Sequence, residues 1–248
     1  MKRRFSLILA VLLTLSLLAG CGGKDAPETT APVNTPETTA PVNTPETTAP
    51  PETTEPALEE RAVSLGVVEG NTYTNSYAGF GCTLGEGWVV LPAEQLQELP
   101  AVVQDAMAGT EIGDAMKDVQ QFTDMMAENA AELVNMNVLF QKLSLQERLA
   151  YKLLSEEMII DQTLEQKDTM IEAYAAAGMN VTSIEKAAVT FLGEEHFALK
   201  TVAETQGIPC YMLQLFNYDR GEYSVTITLT SFLEDNTASM LELFYAVE

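Results

Sequence analysis

The sequence predicts an α+β domain built on an antiparallel sheet and preceded by a disordered linker. Three observations predict it: four C-terminal strand-like runs separated by turn residues, the last alternating apolar and polar, a capped helical segment before them, and a Pro/Thr/Glu repeat near the N-terminus. The chain has 248 residues and is 46% hydrophobic, enough apolar material for one core.

Residues 1–4 form a positive start, and residues 5–18 are an apolar run of fourteen broken only by Ser6, Thr14 and Ser16. A membrane span needs about 20 apolar residues, so the run has the proportions of a signal peptide. It ends in Leu18-Ala19-Gly20-Cys21, followed by Gly22-Gly23, and this resembles the lipobox of bacterial lipoproteins. The resemblance implies cleavage between Gly20 and Cys21, with a diacylglycerol on the Cys21 thiol. Residues 1–20 are then a leader. The protein is expected on the outer face of a Gram-positive cell membrane, held there through its lipid. One acyl chain holds weakly, at about 0.8 kcal/mol per buried methylene, and the two or three chains of such an anchor make it durable.

Residues 21–57 repeat the nonapeptide Pro-Glu-Thr-Thr-Ala-Pro-Val-Asn-Thr from Pro27 and Pro36, with truncated copies from Pro45 and Pro51. The segment has no aromatic and few aliphatic residues, so nothing offsets the entropy of ordering, and a disordered spacer of polyproline II character is expected. At ~3.1 Å per residue it reaches on the order of 110 Å when extended. Its threonines are also candidate acceptors of O-linked sugar, a modification the spacer role does not need. The paper sequon Asn180-Val181-Thr182 is set aside for a bacterial lipoprotein.

Residues 58–248 are expected to form one domain. Short strands are predicted at 65–69, 72–75, 79–84 and 88–91, punctuated by Gly70, Gly79, Gly85 and Gly87. Helical material is predicted to begin at Pro92, to be interrupted at Pro100 and to continue over 110–123. Segments 124–127 and 134–143 read as a hairpin whose second strand is apolar on both faces, as in a central strand. Ser144 and Glu147 form a capping box, and the helix they open is predicted to run to about Ala177. Leu145, Leu149, Leu153, Ile160, Leu164 and Ile171 are its expected buried stripe, and Gly178 its stop.

Strands at 180–191, 196–203, 208–218 and 222–232 follow as a meander, with turns at Gly193-Glu-Glu, Thr205-Gln-Gly and Asp219-Arg-Gly. In the last strand Tyr223, Val225, Ile227 and Leu229 are predicted to face the core, while Ser224, Thr226, Thr228 and Thr230 face water. Residues 234–246 are read as a closing helix, capped at Asp235 or Asn236, with Met240, Leu241 and Phe244 inward.

This order of parts, with Tyr73-Thr-Asn75, Gly79-Phe-Gly-Cys-Thr-Leu84, Gly87-Trp88 and the Ser224-Val-Thr-Ile-Thr-Leu-Thr230 strand, resembles the PsbP-like family. That family is named for an extrinsic photosystem II subunit and includes surface lipoproteins of Gram-positive bacteria. The resemblance implies an antiparallel sheet packed between helices, an α/β/α sandwich, over most of 65–248. None of the family's ligand residues is carried over, because no matching constellation is present.

The chain carries 13 Lys+Arg against 36 Asp+Glu, net −23. Loss of Lys2, Arg3 and Arg4 with the leader leaves 10 basic residues against 36 acidic, net −26. Phosphate contacts need clustered Lys and Arg, so no nucleic-acid partner is expected. One His excludes His-rich metal sites and paired-histidine catalysis. No metal site, cofactor or catalytic residue is assigned, and the standard nucleophile, zinc, phosphate-loop and calcium-loop spacings do not occur.

Several constellations have two readings. Cys82 and Cys210 are either a disulfide on two strands or separate buried thiols. Glu194-Glu195-His196 is either a metal or acid-base cluster or a solvated turn. Met125, Met126, Met136 and Met158 with Phe122 and Phe140 are either a methionine-lined partner groove or core. The threonine face of 222–232 is either a polar binding surface or a wet sheet face. The expected function is a non-enzymatic interaction or accessory module engaging an envelope protein. The alternatives are a solute- or ion-binding receptor and a cell-wall hydrolase using an acidic pair.

Overall fold

Two-residue turns in the left-handed region organise the C-terminal half. Leu192 and Gly193 (φ 53° and 86°) and Gln206 and Gly207 (φ 54° and 80°) each take the paired positive φ of a type I′ turn, whose twist matches the strands it joins. The first turn therefore falls at 192–193, just before the predicted Gly193-Glu-Glu, the second at 206–207 lies within the predicted Thr205-Gln-Gly, and the strand between them, 194–205, is longer than the expected 196–203. The structure, a computed structural model, describes residues 63–92, 95–96, 120–217 and 221–247. The leader, lipobox and repeat, most of the 92–123 helical segment and part of the Asp219-Arg-Gly turn lie outside them.

The described residues form two antiparallel sheets. The smaller contains β1 (Val67–Glu69), β2 (Thr72–Asn75), β3 (Phe80–Thr83) and β11 (Phe244–Ala246), in the order β1-β2-β3-β11. The larger contains β4 (Val89–Val90), β5 (Gln121–Asn129), β6 (Val134–Lys142), β7 (Met179–Phe191), β8 (Glu194–Thr205), β9 (Ile208–Asn217) and β10 (Tyr223–Phe232), in the order β4-β5-β6-β10-β9-β8-β7. The fold is α+β, as the strand patterns predict. β6 lies between β5 and β10 and is buried on both faces, which explains its unbroken apolar character.

Each face of the large sheet carries its own core. Toward the small sheet, Val138, Phe140, Val225, Ile227, Leu229, Leu213 and Leu215 meet Tyr73, Tyr77, Phe80 and Cys82. On the other face Met212, Leu199, Ala203 and Cys210 meet Ile160, Met170, Ala173 and Tyr174 from the helices. A β-bulge between Thr123 and Met125 joins the two sheets. It re-aims Asp124 at the small sheet, where the carboxylate accepts hydrogen bonds from Gly66 N–H (2.9 Å), the Tyr73 hydroxyl (2.6 Å) and Asn75 Nδ2 (2.7 Å). Burial and the adjacent Asp124 push the Tyr73 hydroxyl well above its ordinary pKa. Gly66 has no room for a side chain, because a Cβ there would meet the Tyr73 ring and the Asp124 carboxylate.

The long helix is instead three: α1 (Leu145–Leu153), α2 (Glu156–Leu164) and α3 (Lys167–Ala176). The Ser144/Glu147 capping box forms, and Gly178 (φ 81°) follows α3 at its predicted place. The break comes at Leu154, which is extended, and at Ser155, whose side chain caps α2 by accepting the Met158 N–H. The break re-phases the apolar pattern. Leu145, Leu149 and Leu153 are exposed, whereas Ile160 is buried and Leu164 and Ile171 are partly buried against the sheet. Lys186 on β7 ties α2 down through Glu157 (2.8 Å) and Asp161 (2.7 Å), and these bonds raise its pKa.

Two further expectations change. The closing helix is only α4 (Thr237–Leu241), and Phe244–Ala246 pairs with β3 as an edge strand. Met240, Leu241 and Phe244 do point inward, Phe244 from a strand. The threonine face of β10 is not wet: Ser224, Thr226, Thr228 and Thr230 are all buried, because that face belongs to a core layer too.

Candidate functional site

A groove of about 590 Å³ runs between β7 of the large sheet and β11 of the small one. Consecutive strand residues point to opposite faces, yet Ala188, Val189 and Thr190 of β7 and Phe244, Tyr245 and Ala246 of β11 all line it. The groove therefore follows the strands' edges, where backbone is available. Each strand ends its sheet, so neither has a second ladder partner among the described residues.

Register identifies the outward groups. Phe191 and Glu194 flank the two-residue turn and exchange hydrogen bonds, so alternation turns the N–H and C=O of Thr190 and Ala188 away from β8. Thr83 N–H donates to Leu243 C=O and Val247 N–H donates to Gly79 C=O, which fixes the phase of β11 and turns Phe244 and Ala246 outward. Leu192, Ala238 and Leu241 supply apolar wall, and exposed Glu242 is its charged residue. Beneath, Phe80, Phe191 and Phe244 form a triangle with centroids 5.6 to 5.9 Å apart and edge-on contacts, holding the two strand edges in fixed relation.

A second constellation crosses the opposite, helix-facing side of the large sheet. Asn137, Thr228 and Gln214 lie side by side on β6, β10 and β9, and Asn135 and Thr230 form the next row on β6 and β10. All are buried. Gln214 Nε2 donates to Thr228 Oγ1 at 3.4 Å, but Asn137 Oδ1, Gln214 Oε1, Thr230 Oγ1 and Thr201 Oγ1 have no partner among the described residues. The Tyr174 hydroxyl lies against Thr201 without a well-formed hydrogen bond, and burial raises its pKa. A buried oxygen without a partner costs about 1–3 kcal/mol, so the row is a concentrated polar demand on a core face.

The residues singled out in the sequence fall as follows. Gly20 and Cys21 lie outside the described residues. Cys82 and Cys210 are both free and buried, one in each core on opposite sides of the large sheet, so the separate-thiol reading holds and the disulfide does not form. Burial pushes each thiol up to about 12. Glu194, Glu195 and His196 begin β8 and are not a turn. Alternation separates the two carboxylates, and His196 Nδ1 lies 3.2 Å from Glu156 on α2, an inter-element contact. Among the described residues no three His, Cys, Asp or Glu side chains group to hold a metal ion. Met125, Met126, Met136 and Phe140 are core, Phe122 stacks on Phe140 at 5.0 Å, and Met158 is exposed. The hydrolase alternative needs paired buried carboxylates, and no Asp or Glu among the described residues is buried.

The groove escaped sequence reading because its β11 wall, Phe-Tyr-Ala, was absorbed into a helical pattern three residues too short to contradict. Leu192 was the available signal. A leucine in the left-handed position of a type I′ turn is unfavourable by about 1 kcal/mol, and here its side chain lines the groove.

The chain matches no protein-family model and no curated protein. Among solved structures it is similar to a cyanobacterial PsbP. That structure is the solution structure of CyanoP from Synechocystis sp. PCC 6803, at 14% identity and a TM-score of 0.42, over 74% of this chain and 99% of that one.

Proposed function

We propose that the chain is a lipid-anchored extracytoplasmic lipoprotein whose domain is a non-enzymatic interaction or accessory module, presented on a repeat spacer and engaging an envelope protein. The observation that carries the reading is the groove between two strand edges that have no further ladder partner among the described residues, since such backbone beside apolar wall is a surface built to take another chain. The lipobox and spacer supply the location and reach such a module needs, and the acidic surface keeps the domain off anionic lipid. A photo-crosslinking residue at Val189, in the intact lipoprotein in cells, is expected to capture a discrete protein that the same residue at exposed Leu153 does not. Equal patterns from both positions overturn the reading. Cys21→Ala is expected to move the protein out of the membrane fraction, and unchanged retention would reject the anchor.

A second reading, a receptor for a small neutral solute, is favoured by one observation, the row of oxygens at Asn137, Gln214, Thr230 and Thr201 that have no partner among the described residues. A solute donating hydrogen bonds to them would raise the unfolding temperature. A screen of neutral sugars, polyols and amides tests it, with Gln214→Leu as the variant expected to lose the shift; no shift in the screen rejects it.

A further inference from the structure

Resting on the interaction-module reading, we infer that the β7–β11 groove binds an extended, basic segment of its partner, which adds to the sheet edges as a strand. Shape argues for an extended chain. The groove offers outward N–H and C=O groups at Ala188 and Thr190 on one wall and at Phe244 and Ala246 on the other. Only a strand presents donors and acceptors at that spacing, about 6.6 to 6.8 Å for every second residue. A compact ligand would leave them unpaired. Side chains alternating along such a strand would set one row against Val189, Leu192 and Leu241 and the other toward solvent.

Charge argues for a basic one. Glu242 lines the groove, no Lys or Arg stands among its described lining residues, and exposed Glu194 and Glu195 follow directly on the lining residues Leu192 and Gly193. Lys186, on the same strand, is engaged by Glu157 and Asp161. The whole chain is net −23, so long-range steering favours a cationic segment and disfavours an acidic one. The chain's own repeat does not suit: prolines recur through it, each lacking the N–H a ladder needs, and its charges are mainly glutamates.

The site is held ready. The Phe80–Phe191–Phe244 triangle fixes the two edges before any partner arrives, which lowers the ordering cost of binding. Leu192 keeps a left-handed backbone that Asn or Gly would take more easily, and its side chain is the wall of the groove.

The test uses the mature lipoprotein in detergent and three synthetic peptides: alternating Lys/Val, alternating Glu/Val, and Lys/Val with proline at every second position. Fluorescence anisotropy is expected to show binding of the first only, weakening as salt rises. Thr190→Pro removes an outward N–H while leaving the β8 ladder intact, and is expected to weaken binding about tenfold with little change in unfolding temperature. Leu192→Asn is expected to raise the unfolding temperature yet weaken binding. Glu242→Lys should weaken the Lys/Val peptide and improve the Glu/Val one. No binding of Lys/Val, equal binding of all three peptides, or binding indifferent to Thr190→Pro and Glu242→Lys would overturn the inference. If crosslinking from Val189 still captures a discrete partner in cells while these peptides fail, the module reading stands and the basic-strand inference alone falls.

Discussion

Asp124→Ala tests how the two sheets are joined. Its carboxylate accepts from the Gly66 N–H at 3.0 and 2.9 Å, from the Tyr73 hydroxyl at 2.6 Å and from Asn75 Nδ2 at 2.7 Å. Hydrogen bonds to a charged acceptor are worth about 1.5–3 kcal/mol each, but bonds converging on one group do not add. The Tyr73 ring is fully buried, so its hydroxyl left without an acceptor costs about 1–3 kcal/mol by itself. Together these put the expected loss at about 3–4 kcal/mol, a large share of the ~5–15 kcal/mol typical of a domain. At about 2–4 °C per kcal/mol the unfolding temperature should fall by on the order of 10 °C. Urea unfolding followed by the single Trp88 measures it, with Tyr73→Phe as the partner substitution, expected to cost about 1.5 kcal/mol alone and much less on the Asp124→Ala background. A loss below about 1 kcal/mol, or a Tyr73→Phe cost that is the same in both backgrounds, would refute the account of Asp124 as the link between the sheets.

Other predictions follow from burial. Leu153→Asp, at an 83% exposed position, should change stability by no more than about 0.5 kcal/mol, whereas Ile160→Ala, at 0%, should cost about 2–5 kcal/mol; denaturant midpoints decide. Thr230→Val replaces a buried hydroxyl that has no partner among the described residues with a methyl and should raise stability by about 1 kcal/mol, measured the same way on ligand-free protein. Cys82 and Cys210 have folded pKa values raised from 9.0 to about 12, so the unfolded state loses its thiol protons first. Their contribution is intact below pH 9 and is lost as pH rises from 9 toward 12, so alkaline unfolding should be weaker in the Cys82→Ala/Cys210→Ala variant relative to its own neutral stability. Asp235 shifts the other way: burial raises its pKa, but the Lys200 and Thr237 hydrogen bonds outweigh burial and hold it below 3.8. Its stabilising effect is present above that value and fades as pH falls through the folded pKa, and Asp235→Asn should flatten the acid limb of a stability profile.

The local rules read from the chain held wherever local forces suffice. The meander of β7 to β10 with its turns, the period-2 alternation of β10, the Ser144/Glu147 box and Gly178 were legible because backbone conformation, side-chain caps and hairpin twist act over a few residues. Face assignments held where one core suffices, as for Val225, Ile227, Leu229, Met240 and Leu241, and failed where a helix break or a second core layer intervenes. Leu145, Leu149 and Leu153 have the spacing of a buried stripe, yet Ser155 starts a new helix and turns them to water. Thr226, Thr228 and Thr230 have the pattern of a wet face, yet a second core layer buries them.

Phe244–Ala246 shows the same division most sharply. Its sequence is indifferent between a last helical turn and a short strand, and the unpaired edge of β3, with Phe80 waiting beside it, decides for the strand. The candidate groove exists only through that decision, since one of its walls is β11 and the other is an edge 55 residues earlier, Val189 against Phe244. Most strands, their turns, the helix cap and the acidic charge depend on near neighbours and composition, so the order of residues along the chain carries them. Packing between distant segments, which no sequence period records, sets which edges have no ladder partner among the described residues, which polar rows are buried and which strands face one another.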